Sequence, residues 1–392
     1  MFKRWGLVTL PLALLMAGCF PFSQDEPENT EVENPTNDQE ITIVPPVSSP
    51  ENYYQAILMD GQYQSGKARG FGTDVVYNRL DLDELEMGLT RIAKEHFPQS
   101  EYSLREGQFI NKELLNNWLR RYDEEENPLG LNPALGSGDD LRAQEENSPR
   151  TLSHILEQNY MVENEDGEIE LGAIVIGVSL NSVYNFRITD ENGLYEFYST
   201  PLEDSVTQED GERIANEIVN RLRDQEFLDL DGAFNNIPIV VGLFREQPRE
   251  SIISGTYFQT AIAEPNSDLG SWSGIDESTY LFPSDRANQD VRDDSDEFGR
   301  FQEQIQNFFS TYVGVVGKGF YQNDRLTELT VDIPLRYNGK TEIVALTQFI
   351  ASIIPNYYDD IKVEVNVNSV SGEQESLIVA EPGEEPFIHV MD

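Results

Sequence analysis

The sequence predicts an α+β fold: two related strand–helix–strand repeats with largely antiparallel sheets, preceded by a disordered acidic tether. Three observations predict it. An apolar strand, an amphipathic helix and a second apolar strand recur in that order twice in the second half of the chain. The strands are rich in β-branched residues and are punctuated by turn residues, as sheets with helices packed on one face require. Ahead of them, residues 20–50 hold seven acidic residues, six prolines and no base, a composition that cannot bury enough apolar surface to offset its ordering entropy.

The elements follow in chain order. Residues 1–18 have the layout of a lipoprotein signal peptide. Lys3 and Arg4 form a basic start, an apolar run follows from Gly6 to Met16, and the small residues Ala17 and Gly18 lead into Cys19, the only cysteine. The apolar core is too short for a free-standing membrane span. A cysteine thiolate is a good nucleophile for thioether formation with a diacylglycerol, and small neighbours let a peptidase reach the backbone. Cys19 is therefore the expected lipidation site and Gly18–Cys19 the expected cleavage point. Met16 stands where the usual lipobox has leucine. Residues 19–51 are the tether, which as a flexible coil spans about 30 Å.

Residues 52–150 read as an N-terminal α+β segment. "YYQAILMDGQYQSGKARG" gives a strand and a glycine-containing turn. Leu82, Leu85, Leu89, Ile92 and Ala93 recur at helical spacing, and "NKELLNNWLRRYDEEE" gives a further helix. The Gly-, Pro- and charge-rich stretch 127–149 reads as a domain boundary. Repeat 1, residues 151–265, contains the strand 171–181, a hairpin turning near Asn192-Gly193, a helix starting at Thr207 with Asp210 in the manner of a capping box, and the strand 237–244. Residues 266–300 read as an acidic linker. Repeat 2, residues 301–392, runs from the strand 326–337 through a helix stopped by Pro355 to the strand 362–370.

Composition excludes several functions. Without residues 1–18 the chain holds 25 basic and 71 acidic residues, a net charge of −46. Such a body does not hold nucleic acid by phosphate neutralisation and is repelled by anionic membranes and wall polymers. Membrane residence then rests on lipid attached to Cys19. A single cysteine permits no intrachain disulfide. The sequence carries no cofactor motif and no metal-ligand pattern. His96, His154 and His389 are widely spaced and read as surface or packing residues. "GSWSG" places Trp272 where a nucleophile elbow needs serine, and "GVVGKGF" lacks the spacing and Ser/Thr of a phosphate loop. "DLDG" and "RDDSDEFG" do not supply the alternating ligands of an EF-hand. With 71 acids every carboxylate spacing is present, so a glycosidase-like pair cannot be picked out. One cluster stands apart: Lys67 and Arg69, beside two glycines in "SGKARG", combine cations with backbone amides and form a candidate anion site.

The lipobox, the acidic tether, the "YYQAI…GKARG" entry and the duplicated units together resemble the CamS family, the sex-pheromone precursor lipoproteins of Gram-positive bacteria. The resemblance covers most of the chain after the tether, a region described in the family as two repeats. It implies signal peptidase II and the lipoprotein acylation machinery as partners, and a lipid-anchored body on the outer face of the cell membrane. It also implies a short apolar peptide ending before the lipidated cysteine, able to induce a mating response in enterococci carrying a responsive plasmid. The matching positions are Leu12, Ala13, Leu14, Leu15, Met16, Ala17 and Gly18, which lack the central Ile-Phe-Ile run of the active family peptide. The expectation is a non-enzymatic binding or structural body with no cofactor. The rival is a wall-associated hydrolase using a carboxylate pair that the sequence does not single out.

Overall fold

The computed structural model describes residues 41–45, 53–70, 78–190, 192–224, 234–308, 313–336 and 339–391. The signal peptide, Cys19 and most of the tether lie outside these residues. The tether was expected to reach residue 51, but Ile41–Ile43 forms β1 and pairs antiparallel with β2 (Gln55–Met59). Ile41 packs against Ile57, Met59 and Met161, an apolar contact that a solvated tether would not make. The predicted turn joins β2 to β3 (Gln62–Tyr63) through Asp60 and Gly61, whose φ of 51° and 73° suit the two-residue hairpin turns that match strand twist.

α1 (Leu82–His96) buries Leu85, Leu89, Ile92 and Ala93 as its periodicity predicts, although Leu82 stays exposed. β4 (Tyr102–Glu106) pairs in parallel with β2 and antiparallel with β5 (Leu152–Glu163). Between them lie α2 (Lys112–Leu119) and α3 (Leu141–Asn147), capped by the side chains of Asn111 and Asp140. α2 ends before the charged run that was expected to extend it, because Arg120 is extended. The 127–149 stretch is no boundary. Asn132 is buried and donates to Leu119 O at 2.8 Å while accepting from Leu152 N at 3.0 Å, stitching α2 to β5. β2, β3 and β4 therefore belong to the same sheet as β5, which opens repeat 1.

β6 (Ile169–Leu180) is the strand read from "LGAIVIGVSLN". β7 (Val183–Thr189) and β8 (Tyr195–Pro201) form the expected hairpin as a separate two-stranded sheet. α4 (Asp204–Arg223) starts three residues earlier than expected. Thr207 is inside the helix, where its hydroxyl donates to Glu203 O at 3.1 Å rather than capping. β9 (Ile239–Arg245) lies parallel to β6, and β10 (Thr256–Ala263) and β11 (Ser273–Gly274) close that edge. The sheet order is β1-β2-β4-β5-β6-β9-β10-β11, with β3 on β2. Helices cover both faces, not one. α1 packs with Tyr160, Val175, Val240 and Tyr257, while α2 and α4 pack with Ile174, Ile176, Val178 and Val241. This explains the unbroken apolar run of β6, since a strand buried on both faces has no polar side to alternate.

Tyr257 shows how tightly α1 sits. Its hydroxyl donates to Leu85 O at 2.8 Å, and Gly88, Gly177 and Gly242 surround its side chain. A Cβ added at any of these three glycines would lie 2.6–2.7 Å from the tyrosine. A helix-interior glycine costs roughly 1 kcal/mol against alanine, and here it makes room for a fully buried ring.

The second sheet begins inside the expected linker. β12 (Glu277–Phe282), α5 (Asp285–Asp290) and α6 (Arg292–Gln306) occupy most of residues 266–300. Ser295, Phe298, Phe301 and Ile305 make one buried stripe beneath the acidic face that suggested a linker. β13 (Val316–Gln322) holds "GKGF", and Gly317 is a close approach: an added Cβ would lie 2.4 Å from the Phe298 ring. β14 (Arg325–Leu335), α7 (Lys340–Ile353) and β15 (Lys362–Ser369) are the second strand–helix–strand unit, with β14 and β15 parallel. β16 (Gln374–Ala380) and β17 (Phe387–Val390) complete the order β12-β13-β14-β15-β16-β17. Here the helices cover one face, around Phe298, Phe301, Leu346, Ile350 and Val365.

The duplication is exact in strand order. β5-β6-β9-β10 and β13-β14-β15-β16 both pair antiparallel, parallel, antiparallel, with α4 and α7 in the parallel crossover. The hairpin β7–β8 and the strands β1–β4 are additions to the first copy. α1 joins the two bodies: its Arg91 meets Glu277 at 3.3 Å and lies over the Phe320 ring, and Glu84 meets Lys318 at 3.6 Å.

Candidate functional site

A cavity of about 300 Å³ opens where β4 leaves β5. β4 ends at Glu106 opposite Gln158, whereas β5 continues back to Leu152 with only β6 beside it. The gap is lined by Gly66, Ala68, Arg69 and Gly70, by Leu80 and by Asp83 and Glu86 at the start of α1, by Glu106, Gly107 and Ile110, and by His154–Gln158 of β5. Residues 71–77, between two of these walls, lie outside the described residues.

Glu157 builds the floor. Its carboxylate is fully enclosed and accepts from Gln108 N at 3.1 Å, Phe109 N at 3.1 Å, Ile110 N at 2.7 Å and Asn159 Nδ2 at 2.6 Å. Burial pushes its pKa up, and these four donors pull against it. Three successive amides aimed at one carboxylate fold the 107–110 loop against β5, which keeps β4 from pairing further and holds the cavity open.

Glu106 forms one lip. One oxygen accepts from Gly66 N at 2.6 Å, and the other accepts from the Tyr63 hydroxyl at 2.5 Å and faces Arg69 at 3.5 Å. The sequence expectation placed an anion at Lys67 and Arg69. The structure brings Arg69 to the cavity with a glycine amide beside it, and the anion they hold is the Glu106 carboxylate. Lys67 does not line the cavity: it is exposed, and its backbone N–H bonds Gly107 O at 2.9 Å.

Asp83 and Glu86, one turn apart on α1, face the same space. Partial enclosure and the nearby Glu106 and Asp83 raise the Glu86 pKa. On the inner wall His154 is 8 % exposed, and burial lowers its pKa to about 4, so its imidazole is neutral. Among the described residues none hydrogen-bonds its ring. His96 and His389 are exposed and far from this arrangement. Among the described residues no group of three His, Cys, Asp or Glu side chains is arranged to hold a metal ion, and no helix is long and apolar enough to cross a membrane.

Sequence reasoning reached Arg69 through its rarity as a cation. It missed Asp83, Glu86, Glu106, His154 and Glu157, which come from three segments far apart in the chain, α1, β4 and β5. The lipidation and peptide positions, Leu12 to Cys19, lie outside the described residues.

Comparison with known proteins places this architecture. A family model described as CamS sex pheromone cAM373 precursor matches residues 63–386, which span both sheets and the cavity. A sex pheromone precursor from Lactobacillus salivarius subsp. salivarius UCC118 is 30 % identical, with a TM-score of 0.79 over 90 % of this chain and 99 % of that one. The C-terminal domain of the sex pheromone staph-cAM373 precursor from Staphylococcus aureus is 28 % identical, with a TM-score of 0.65 over 79 % of this chain and 96 % of that one. No curated protein matches. The duplicated sheet module and the match along nearly its whole folded length make this chain a member of the CamS sex pheromone cAM373 precursor family.

Proposed function

We propose that the chain is a lipid-anchored extracellular lipoprotein whose folded body is a non-enzymatic binding module. Signal peptidase II cleaves between Gly18 and Cys19, Cys19 carries the acyl chains, and the fragment Leu12–Gly18 is released as a pheromone-like apolar peptide. Two or more acyl chains anchor stably where one is marginal, which suits a body whose own charge of −46 gives it no affinity for anionic lipid.

The observation that supports binding rather than chemistry is the occupation of the cavity's inner carboxylates. Glu157 and Glu106 both spend their oxygens on protein N–H and O–H donors, so neither is poised to move a substrate proton. The apolar walls and the neutral, unbonded His154 remain available to a ligand. The test is mass spectrometry of the culture supernatant for Leu12–Gly18, with and without a signal peptidase II inhibitor, alongside a binding screen of the purified protein against peptides and wall fragments. A peptide that vanishes with the inhibitor, together with saturable binding, supports the reading. Lipidated Cys19 with no peptide removes the pheromone half, and uniformly negative binding removes the other.

The hydrolase reading has one observation in its favour, the raised pKa of Glu86 beside Asp83. Release of soluble wall fragments by the wild-type protein, lost in Glu86→Gln, would establish it.

A further inference from the structure

We infer that the cavity captures the free amino terminus of an extended apolar peptide, which lies along the unpaired edge of β5 with its ammonium group between Asp83 and Glu86. The inference rests on the reading of the cavity as a binding site and names its ligand class.

The first support is the strand edge. β5 is flanked by β4 only from Gln158 to Val162, while β6 accompanies it along its whole length. At the far end Asn132 meets both the N–H and the carbonyl of Leu152. Between these two points, residues 153–156 present an edge that no strand of the described residues pairs with, and His154, Ile155 and Leu156 line the cavity. A sheet edge is a template for an added strand: main-chain hydrogen bonds supply affinity and side-chain pockets supply selection. At about 3.3 Å per residue, this edge accommodates three or four residues of a partner.

Charge gives the direction and the end. Of the cavity's ionised groups, Arg69 and Glu106 already face each other. Asp83 and Glu86 have no ion-pair partner among the described residues, and burial first, then the Glu106 and Asp83 charges, raise the Glu86 pKa against the pull of Arg69. A cation entering between them relieves that repulsion, and an ammonium with three donors suits two carboxylates. A ligand carboxylate is disfavoured, because Arg69, the cation among the described lining residues, already faces Glu106. The peptide therefore enters with its amino end at α1 and its chain running into the cavity.

The interior selects the rest. Leu80, Ile110, Ile155 and Leu156 are apolar, so the first side chains are apolar. His154 stands among them more than nine-tenths buried, without a hydrogen-bond partner among the described residues. Its ring opens onto the cavity, where a ligand can bond it. A neutral imidazole has one donor and one acceptor, the complement of a peptide unit.

The experiment is isothermal titration calorimetry of the full-length protein at pH 7.5 with the tripeptide Leu-Ala-Leu amide and its N-acetylated form. The free-amine peptide should bind saturably, and acetylation should weaken it at least tenfold. Asp83→Asn/Glu86→Gln should weaken the free-amine peptide about tenfold and leave the acetylated one unchanged. His154→Asn, with His154→Phe as a second variant should one fail to fold, should weaken both. Equal affinity for the two peptides overturns the amine recognition while leaving a peptide site. Binding of wall fragments but of neither peptide overturns the inference while leaving a binding module. No binding of any probe, by protein with an intact thermal transition, overturns both.

Discussion

Glu246→Gln should make the protein more stable, and increasingly so as pH rises. Glu246 is 1 % exposed at the end of β9, accepting from Ser179 Oγ at 2.7 Å and from Asp81 N at 3.2 Å. Asp81 occupies the N-cap position of α1 without a side-chain capping bond, its carboxylate instead accepting from Gly255 N and pairing with Arg79. Burial first, and then the Asp81 charge, push the Glu246 carboxyl from 4.5 to about 7. A raised acid pKa means the folded state holds a proton that the unfolded state has released. The associated stability is full below pH 4.5 and is lost as pH rises through about 7. At 1.36 kcal/mol per tenfold, the ionised carboxylate costs roughly 3 kcal/mol above pH 7. Glutamine keeps the shape and removes the charge. Urea unfolding of both proteins from pH 4.5 to 8.5 should show the stability difference growing by roughly 3 kcal/mol in favour of the variant, mostly between pH 4.5 and 7. A difference that stays flat across that window would refute the reasoning.

Three further outcomes follow from particular contacts and a fourth from the proposed lipidation of Cys19. His154, depressed to about 4 by burial, has the opposite sign: its stability is present above its ordinary 6.5 and lost as pH falls toward 4, so His154→Asn should flatten the acid limb of the urea-derived stability profile. Tyr257→Phe removes the bond to Leu85 O and should cost about 1 kcal/mol, whereas Gly242→Ala drives a Cβ to 2.7 Å from both Ile92 and the Tyr257 ring and should cost about 1–3 kcal/mol; thermal unfolding ranks the two. Arg91→Ala leaves Glu277, whose side chain is 4 % exposed, with only the Gln322 amide at 3.4 Å, at a cost of about 1–3 kcal/mol. Adding Glu277→Gln should restore most of it, and a double variant no more stable than Arg91→Ala would remove the pair from the account. Cys19→Ala should move the protein from the membrane fraction to the medium, and full retention would mean that another segment anchors it.

The parts of the fold legible in the sequence are those whose signal is local. α4 and α7 show their stripes at 3.6-residue spacing, and the Asp60-Gly61 and Asn192-Gly193 turns announce their hairpins. The parallel pairing of β6 with β9 and of β14 with β15 follows from a helix between two apolar strands. What failed was reading charge as disorder. α6 carries "RDDSDE" on its solvent face, yet Phe298, Phe301 and Ile305 lie in one line beneath it. Likewise Ile41–Ile43 sits in an acidic, proline-rich stretch but alternates as a strand must. Composition averages over both faces of an element and erases the buried one. Periodicity keeps it.

The cavity was illegible for a different reason: it is made by an ending. Nothing in "YSLREGQFI" says that pairing stops at Glu106. That follows from Glu157, fifty-one residues later, drawing the amides of Gln108, Phe109 and Ile110 onto its side chain. A glutamate inside the apolar strand "LSHILEQNYMVE" is the local conflict that points there, since a buried carboxylate needs donors from somewhere. The same strand carries His154 three residues before it. α1 then brings Asp83 and Glu86 to this opening with one face, holds the first sheet with Leu85, Leu89 and Ile92, and meets the second body with Glu84 and Arg91. A helix with three contact faces shows only its apolar one in a periodicity plot, so the residues that define the site are the ones the pattern counts as solvent-exposed.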